Sequence, residues 1–234
     1  MGNEGLLVLK DLNVWYTKGR PVFEKFSLEL KRNEVVGLIG LNGAGKTTFI
    51  KTLSGLLDSF QAETALWQDR PLIFRDRGFK KERYTVFAED HSFQFFTFHE
   101  YISYVGASYG KKLSDSDIEE LVHGFHFEEY TDVLLKELST GNLKKAYLIT
   151  AFALNPKLLI LDEPVNGLDF HSTEYLYQQI GSYRQYGTVL FSSHILESIC
   201  LTSDRVLVLE QGQIKKCFAG QEIEAGKIRE VLKE

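Results

Sequence analysis

Five short runs of apolar residues recur along the chain and determine its predicted architecture. They are EVVGLIG from Glu34, YTVFA from Tyr84, LLILD from Leu158, TVLFS from Thr188 and RVLVL from Arg205. Because nearly every position in each run is apolar, both faces should be buried, which is typical of parallel strands covered by helices. Helical periodicity between the runs, at Thr47 to Leu57 and at Thr173 to Gln185, indicates such helices. The pattern therefore predicts an α/β fold with a mostly parallel sheet core.

The first part of the chain follows a different pattern. LLVLKDLNVWY and PVFEKFSLELK alternate between apolar and polar positions on either side of the turn-forming residues Lys18 to Pro21. This predicts an N-terminal antiparallel β subdomain. From about Phe93 to Glu137 the pattern is instead mostly helical, polar and rich in aromatic residues. We therefore expect a single domain, 1–234, with a helical subdomain inserted at about 93–150.

Composition and charge narrow the class of protein. The chain has 234 residues, 44% hydrophobic and 25% charged, which is ordinary for a globular protein. Its formal net charge of -5 argues against a general nucleic-acid binder, since such proteins are usually basic. The two cysteines, Cys200 and Cys217, make no disulfide framework, so we expect them to stay reduced in a cytosol.

The chain itself is not expected to enter a membrane. The segment Met1 to Leu12 lacks the long apolar run of a signal peptide. No stretch approaches the roughly 18 consecutive apolar residues that indicate a membrane helix. We therefore expect a cytoplasmic protein that reaches a membrane only through a partner.

The segment GLNGAGKT, from Gly40 to Thr47, carries the strongest chemical signal and is called the phosphate loop below. It fits G-x-x-x-x-G-K-[ST], follows a predicted strand and opens a predicted helix, as that motif requires. Its glycines let backbone amides and the helix dipole face one point, while Lys46 and the Thr47 hydroxyl suit the terminal phosphates and Mg²⁺. The residues predicted to bind nucleotide here are Gly40, Asn42, Gly43, Ala44, Gly45, Lys46, Thr47 and Thr48.

Polar side chains also follow two other predicted strands. Asp162 and Glu163 end LLILDE, and two carboxylates beyond a buried strand need a cation or a structural ion pair. Beside a phosphate loop, we expect Asp162 to meet Mg²⁺ and Glu163 to polarise the attacking water. His194 ends VLFSSH and is predicted to contact the γ-phosphate, because open α/β sheets bind ligands beyond their strand ends. A purely structural histidine is the alternative.

The order of these motifs resembles the nucleotide-binding subunit of ATP-binding cassette (ABC) transporters. The phosphate loop, LSTGN, LLILDEP, NGLD and SSH follow one another as in that family and span nearly the whole chain. The resemblance implies a P-loop NTPase fold, ATP and Mg²⁺ as cofactors, and ATP hydrolysis coupled to transport. It also implies two partners, an integral membrane subunit and a second cassette subunit, identical or different, at the cytoplasmic face of a membrane.

The resemblance also assigns residues to a dimer interface. Leu138 to Asn142, the signature segment below, matches the family motif LSGGQ, which binds the ATP held by the opposite protomer. Ser139 is a good N-cap and Gly141 permits a tight turn, and both would cap a γ-phosphate across the interface. Thr140 adds a side chain where the family usually has none. Asp169 in NGLD matches the D-loop, which lies along that interface.

Two further positions match the family with alternatives left open. Tyr16 matches the aromatic residue that stacks on adenine, and its neighbour Trp15 is the alternative. Glu89 stands where the family usually has a glutamine that touches Mg²⁺ and senses the membrane subunit. A carboxylate can bind Mg²⁺ but adds negative charge beside a triphosphate, and Gln94 is the competing candidate.

Three functions explain parts of this pattern. An ATPase subunit of a transporter accounts for every motif. A soluble cassette ATPase in assembly or nucleic-acid maintenance would usually carry a long coiled-coil insertion or a second cassette, and a kinase or GTPase leaves the signature and histidine motifs unexplained. The aromatic run FQFFTFHEY could stack on bases. The resemblance implies instead that this region borders a groove for a helix of the membrane protein, and the acidic balance of the chain favours that interpretation.

Overall fold

The computed structural model describes residues 5–233 and contains eleven strands and eight α-helices in that range. The strands are β1 (Gly5–Thr17), β2 (Arg20–Lys31), β3 (Val35–Ile39), β4 (Phe60–Gln61), β5 (Thr64–Trp67), β6 (Arg70–Pro71), β7 (Arg83–Val86), β8 (Leu158–Asp162), β9 (Thr188–Ser192), β10 (Arg205–Glu210) and β11 (Gln213–Ala219). The helices are α1 (Lys46–Leu53), α2 (Arg77–Glu82), α3 (Phe98–Tyr109), α4 (Asp115–Gly124), α5 (Thr140–Leu154), α6 (Phe170–Ser182), α7 (Leu196–Thr202) and α8 (Ala225–Lys233). Residues 1–4 of the segment Met1 to Leu12, and residue 234 of the predicted domain 1–234, lie outside the described range.

The larger sheet confirms the predicted parallel core. Its strand order is β11-β10-β3-β9-β8-β7, and the strands from β10 to β7 pair in parallel. These five strands are the five apolar runs, and β3, β8 and β9 are buried at every position. The edge strand β11 was not predicted, because its largely exposed sequence QIKKCFA has no apolar run. It pairs antiparallel with β10.

The second sheet confirms the predicted antiparallel subdomain. Strands β1 and β2 pair antiparallel through the turn, with Thr17 opposite Arg20, and the sheet continues in the order β2-β1-β5-β6. Strands β4 to β6 have two to four residues each, too short for hydrophobic periodicity to predict. Phe23 and Phe26 on β2 pack against Phe49 of α1. This contact places the antiparallel sheet against the helix that follows the phosphate loop.

Two predicted helices are present with different ends. The helix predicted at Thr47 to Leu57 stops at Leu53, because the chain turns at Gly55, whose φ is +68°. The helix predicted from Thr173 begins at Phe170, because the Asp169 side chain accepts the Ser172 N–H and caps it. It ends at Ser182, and the last three predicted residues form a 3₁₀ turn.

Helices α3, α4 and α5 lie between β7 and β8 in the chain, and these two strands pair with each other. The helical character predicted from Phe93 to Glu137 therefore falls in an insertion between adjacent strands. Phe98, Phe125 and Phe127 are fully buried in its core. Because α5 runs on to Leu154 and belongs to both parts, the boundary at about 93–150 stays a prediction.

Candidate functional site

The phosphate loop connects β3 to α1 with the backbone conformations that its glycines allow. Gly43 and Gly45 have φ of +83° and +109°, in the region that side chains disfavour. A Cβ on Gly40 would lie 2.3 Å from the Leu209 carbonyl oxygen, so the third glycine is needed for close packing. The helix N-terminus at Lys46 faces the loop, as an anion-binding site requires.

Lys46 is buried and held within the loop. Its Nζ donates to the Gly40 carbonyl at 2.7 Å and lies 4.0 Å from Glu163 Oε1. These two contacts use at most two of the three ammonium protons, so the ammonium group can still donate to an anion that enters the loop.

Asp162, at the end of β8, links three elements. Its Oδ2 accepts the Thr47 hydroxyl at 3.1 Å, and its Oδ1 accepts the Ser192 hydroxyl at 2.6 Å. The residue is buried, with 1% of it exposed, and these two hydroxyls provide hydrogen-bond donors to both of its carboxylate oxygens. A hydroxyl beside one carboxylate is a hard oxygen set that fits Mg²⁺, which takes its other oxygens from phosphates and water. Residues 5–233 contain no group of three or more His, Cys, Asp or Glu side chains that could hold a metal ion.

Glu163 and His194 contact each other at the same strand ends. Glu163 Oε2 lies 2.8 Å from His194 Nδ1 and also accepts the His194 backbone N–H at 3.2 Å. The φ of Glu163 is +47°, a left-handed conformation that costs roughly 1–3 kcal/mol in a non-glycine residue and is concentrated at functional sites. Its N–H donates to Ser192 Oγ at 2.9 Å, which holds that conformation. The carboxylate and the imidazole thus act as a hydrogen-bonded pair.

These groups surround one cleft of about 500 Å³. The predicted residues that line it are Asn42, Gly43, Ala44, Gly45, Lys46, Thr47, Thr48, Glu163 and His194. Val22, Leu41 and Asn166 also line it and were not predicted, nor was Ser192, which joins Asp162 to Glu163. Ser192 ends the strand next to that of Asp162, so its place in FSSH was an available signal. Among the described residues, the predicted Gly40 and Asp162 are not in the lining, and Asp162 reaches the cleft through the Thr47 hydroxyl. The cleft combines a cation, amides, hydroxyls and the Glu163 carboxylate, as binding and hydrolysis of a triphosphate would require.

The signature segment contacts the NGLD segment at Gly167. Asn166 of that segment lines the cleft, whereas in the described part of the chain neither Asp169 nor the signature segment does. Ser139 caps α5, as predicted: its exposed hydroxyl accepts the Asn142 N–H at 3.2 Å. A Cβ on Gly141 would lie 2.2 Å from the Gly167 carbonyl oxygen, so glycine is required for packing within the chain. Asp169 forms an ion pair of 2.7 Å with Lys145. An outward-facing hydroxyl away from the chain's own cleft suits a site completed by another protomer.

Tyr16 and Trp15 differ in exposure. Tyr16 is 58% exposed, and its hydroxyl lies 3.3 Å from the Thr48 hydroxyl at the start of α1. Trp15 is half-buried, and its backbone N–H donates to the Ser59 carbonyl. The exposed ring beside the phosphate loop keeps Tyr16 as the predicted base-stacking residue.

Replacing Tyr16 by alanine should weaken ATP binding by about 1–3 kcal/mol, the usual range for loss of base stacking. Because a ring reads the face of a base, we expect GTP to bind within about tenfold of ATP. Equilibrium titration with labelled nucleotide checks both expectations. Tyr16→Phe, which keeps the ring and loses only the hydroxyl near Thr48, should bind like the parent. Unchanged ATP affinity in Tyr16→Ala would mean that Trp15, or no aromatic residue, holds the base.

Glu89 is exposed on the segment after β7, and Gln94 is half-buried five positions on. The Gln94 carbonyl accepts the Lys136 N–H at 3.0 Å, which ties that residue to the segment before the signature. Within the described residues neither side chain lines the cleft. Glu89 as a contact to Mg²⁺ therefore stays a prediction.

Comparison with known proteins gives a consistent result. A family model described as ABC transporter matches residues 23–166. The putative ABC transporter ATP-binding protein AlbC of Bacillus subtilis (strain 168) is 37% identical over 219 residues, 90% of each chain. The energy-coupling factor transporter ATP-binding protein EcfA2 of Clostridium perfringens (strain 13 / Type A) is 32% identical over 97% of this chain and 81% of its own.

A solved structure described as the ATP binding subunit of an ABC transporter superimposes with a TM-score of 0.86 and 26% identity. The match covers 98% of this chain and all of that one. Within residues 5–233, none of the helices has both the length and the hydropathy needed to cross a membrane.

Proposed function

The chain belongs to the ABC transporter family, and from this membership we propose that it works as one half of an ATP-sandwich dimer attached to a membrane subunit. It is an ATP-binding ATPase subunit whose activity is coupled to transport. The proposal for the dimer rests on one observation. Ser139 exposes its hydroxyl away from the cleft that Lys46 and Glu163 line, so a second protomer is needed to unite them.

The side chains of the cleft suggest a division of roles. Lys46 and the loop amides bind the phosphates, and Tyr16 stacks on the base. Thr47 and Asp162 would hold Mg²⁺, which supplies positive charge to the phosphate oxygens when bound. Glu163 orients and polarises the attacking water, and His194 holds its carboxylate at 2.8 Å. Asp169 stabilises the segment at the interface.

We propose that the membrane subunit docks in a groove between the core and the helical insertion, on the cytoplasmic face of a membrane. The groove has a volume of about 520 Å³. Its lining includes both basic and aromatic residues; they are Arg77, Lys80, Lys81 and Arg83, and Tyr84, Phe87, Phe93, Tyr101, Tyr104 and Tyr109. Among the described residues, Asp90 is the one carboxylate that lines it. The formal net charge of the whole chain is -5, so these basic residues form a local exception to its acidic character. Together with the aromatic residues, they favour a helix with an acidic face and an apolar face.

Docking can be tested by co-expressing the chain with the membrane subunit of its transporter. Tyr104→Ala and Lys80→Glu should each lower co-purification by about tenfold, because aromatic anchors and charge complementarity contribute most at such interfaces. Basal ATPase activity without the membrane subunit should not change. Tyr186→Ala is the matched control, since Tyr186 is 56% exposed and Tyr104 is 50% exposed. Equal recovery of all three variants would place the membrane subunit elsewhere.

A further inference from the structure

Two adjacent lysines on α5, just after the signature segment, are buried. Lys144 is 3% exposed and Lys145 is 5% exposed. Lys145 has a carboxylate partner, Asp169, at 2.7 Å. Burial would raise the pKa of Asp169, but the hydrogen bonds from Lys145 and Ser172 hold it well below its usual range. Lys145 thus has an ordinary explanation as half of an ion pair.

The buried ammonium of Lys144 contacts backbone carbonyls and, among the described residues, has no carboxylate partner. Its Nζ donates to two consecutive backbone carbonyls, Phe87 at 2.6 Å and Ala88 at 2.8 Å, and within residues 5–233 it forms no ion pair. Burial of an ammonium without a contacting carboxylate is costly, and it lowers the pKa of Lys144. Four carboxylates oppose that shift from a distance; they are Asp162, Asp90, Glu163 and Glu89. The carboxylates thus favour the charged form of a buried ammonium that the Phe87 and Ala88 carbonyls hold directly before Glu89.

Lys144 links two segments that are distant in the chain. The two carbonyls that it binds belong to the residues directly before Glu89, where the chain leaves β7. On its own helix, Lys144 lies in the turn that follows Ser139, the N-cap. One side chain thus connects the Glu89 segment, which borders the docking groove, to the helix that presents the signature hydroxyl.

We propose that Lys144 is a positioning residue that couples the Glu89 segment to the signature helix, and that its charge, held 2.8 Å from the carbonyl of Ala88 directly before Glu89, offsets the carboxylate at position 89. The inference rests on the proposed function, since it requires that Ser139 act across a dimer and that Glu89 approach the bound nucleotide. A glutamine at position 89 carries no negative charge, so the positive charge of Lys144 would have less to offset. The two residues should therefore be energetically coupled.

Two substitutions separate the contact from the charge. Lys144→Met removes both, whereas Lys144→Gln keeps an NH₂ group that can donate to the carbonyls and removes the charge. Lys111→Met is the matched control, because Lys111 Nζ donates to two carbonyls at the other end of α5, Leu154 at 2.7 Å and Asn155 at 3.0 Å. Each change is made in the Glu163→Gln background, so that ATP-dependent dimers can be measured by sedimentation without turnover. Thermal unfolding and ATP affinity of the monomer are measured alongside.

We expect Lys144→Met to weaken ATP-dependent dimerisation by about tenfold or more, with ATP affinity of the monomer changed by less than about threefold. Lys111→Met should lower thermal stability without affecting the dimer. Lys144→Gln should lie between the two, and adding Glu89→Gln to it should recover at least about threefold of the lost dimerisation.

Two results would overturn parts of this inference. If Lys144→Met and Lys111→Met affect only stability, Lys144 is structural. If Glu89→Gln has the same effect with or without Lys144→Gln, the charges are not coupled. If Lys144→Met does not fold, the Lys144→Gln and Glu89→Gln double-mutant cycle still decides the question of charge. Failure of the Glu163→Gln parent to dimerise on ATP would instead contradict the proposed function itself.

Discussion

Replacing Glu163 by glutamine should nearly abolish ATP turnover and leave ATP binding intact. Removal of a general base typically lowers the rate by about 10² to 10⁴. The phosphate loop and Lys46 do not depend on this carboxylate, because Lys46 is held mainly by the Gly40 carbonyl at 2.7 Å. Phosphate release at saturating ATP, with nucleotide titration of the same preparation, measures the two effects separately.

The same variant should accumulate as an ATP-bound dimer. An uncharged glutamine removes a negative charge beside the γ-phosphate, and slow turnover prevents the dimer from opening. Glu174→Gln is a suitable control, because Glu174 is exposed on α6 and the substitution makes the identical chemical change away from the cleft. Near-normal hydrolysis in Glu163→Gln would show that another group activates the water, and His194 would then be the first candidate.

The strands and motifs that sequence predicts well are those encoded locally. Each parallel strand is a continuous apolar run, because both faces are covered, and the phosphate loop carries its strand, glycines and helix in one segment. Asp162 is the last residue of its strand, so its place at the carboxyl edge of the sheet follows from the chain order. The two-residue strands β4 and β6 contain too few positions for any period to be seen.

Other features depend on contacts between distant segments. Ser192 joins Asp162 to Glu163 only because β8 and β9 are neighbours in the sheet, with Asp162 opposite Ser192. Lys144 and Lys145 read as ordinary charged residues of a helix, yet packing buries both. Gly141 is predicted from sequence to permit a tight turn and to cap a γ-phosphate, and the nearby Gly167 carbonyl gives a further reason for glycine. Such features require the tertiary structure, since no local pattern distinguishes them.

Replacing Ser139 by arginine should abolish ATP-dependent dimerisation and most hydrolysis, while an isolated monomer still binds ATP. A bulky cation at an interface excludes the partner's nucleotide, whereas the monomer's own cleft has no contact with Ser139 among the described residues. Loss of the N-cap alone costs only about 1 kcal/mol of stability. Ser114→Arg is the matched control, because Ser114 caps α4 by accepting the Asp117 N–H at 3.3 Å. That variant should dimerise normally.

Mixing two inactive variants then tests whether the site is shared between protomers. In a heterodimer of Ser139→Arg with Lys46→Ala, one composite site lacks both groups and the other retains both. Since a two-fold dimer has two such sites, an equal mixture should recover about a quarter of the parent ATPase activity, provided that one intact site suffices. If Ser139 served only its own helix, the damage would stay in that chain and mixing would restore nothing. Recovery that rises and falls with the proportion of heterodimer would establish that Ser139 acts on the nucleotide of its partner.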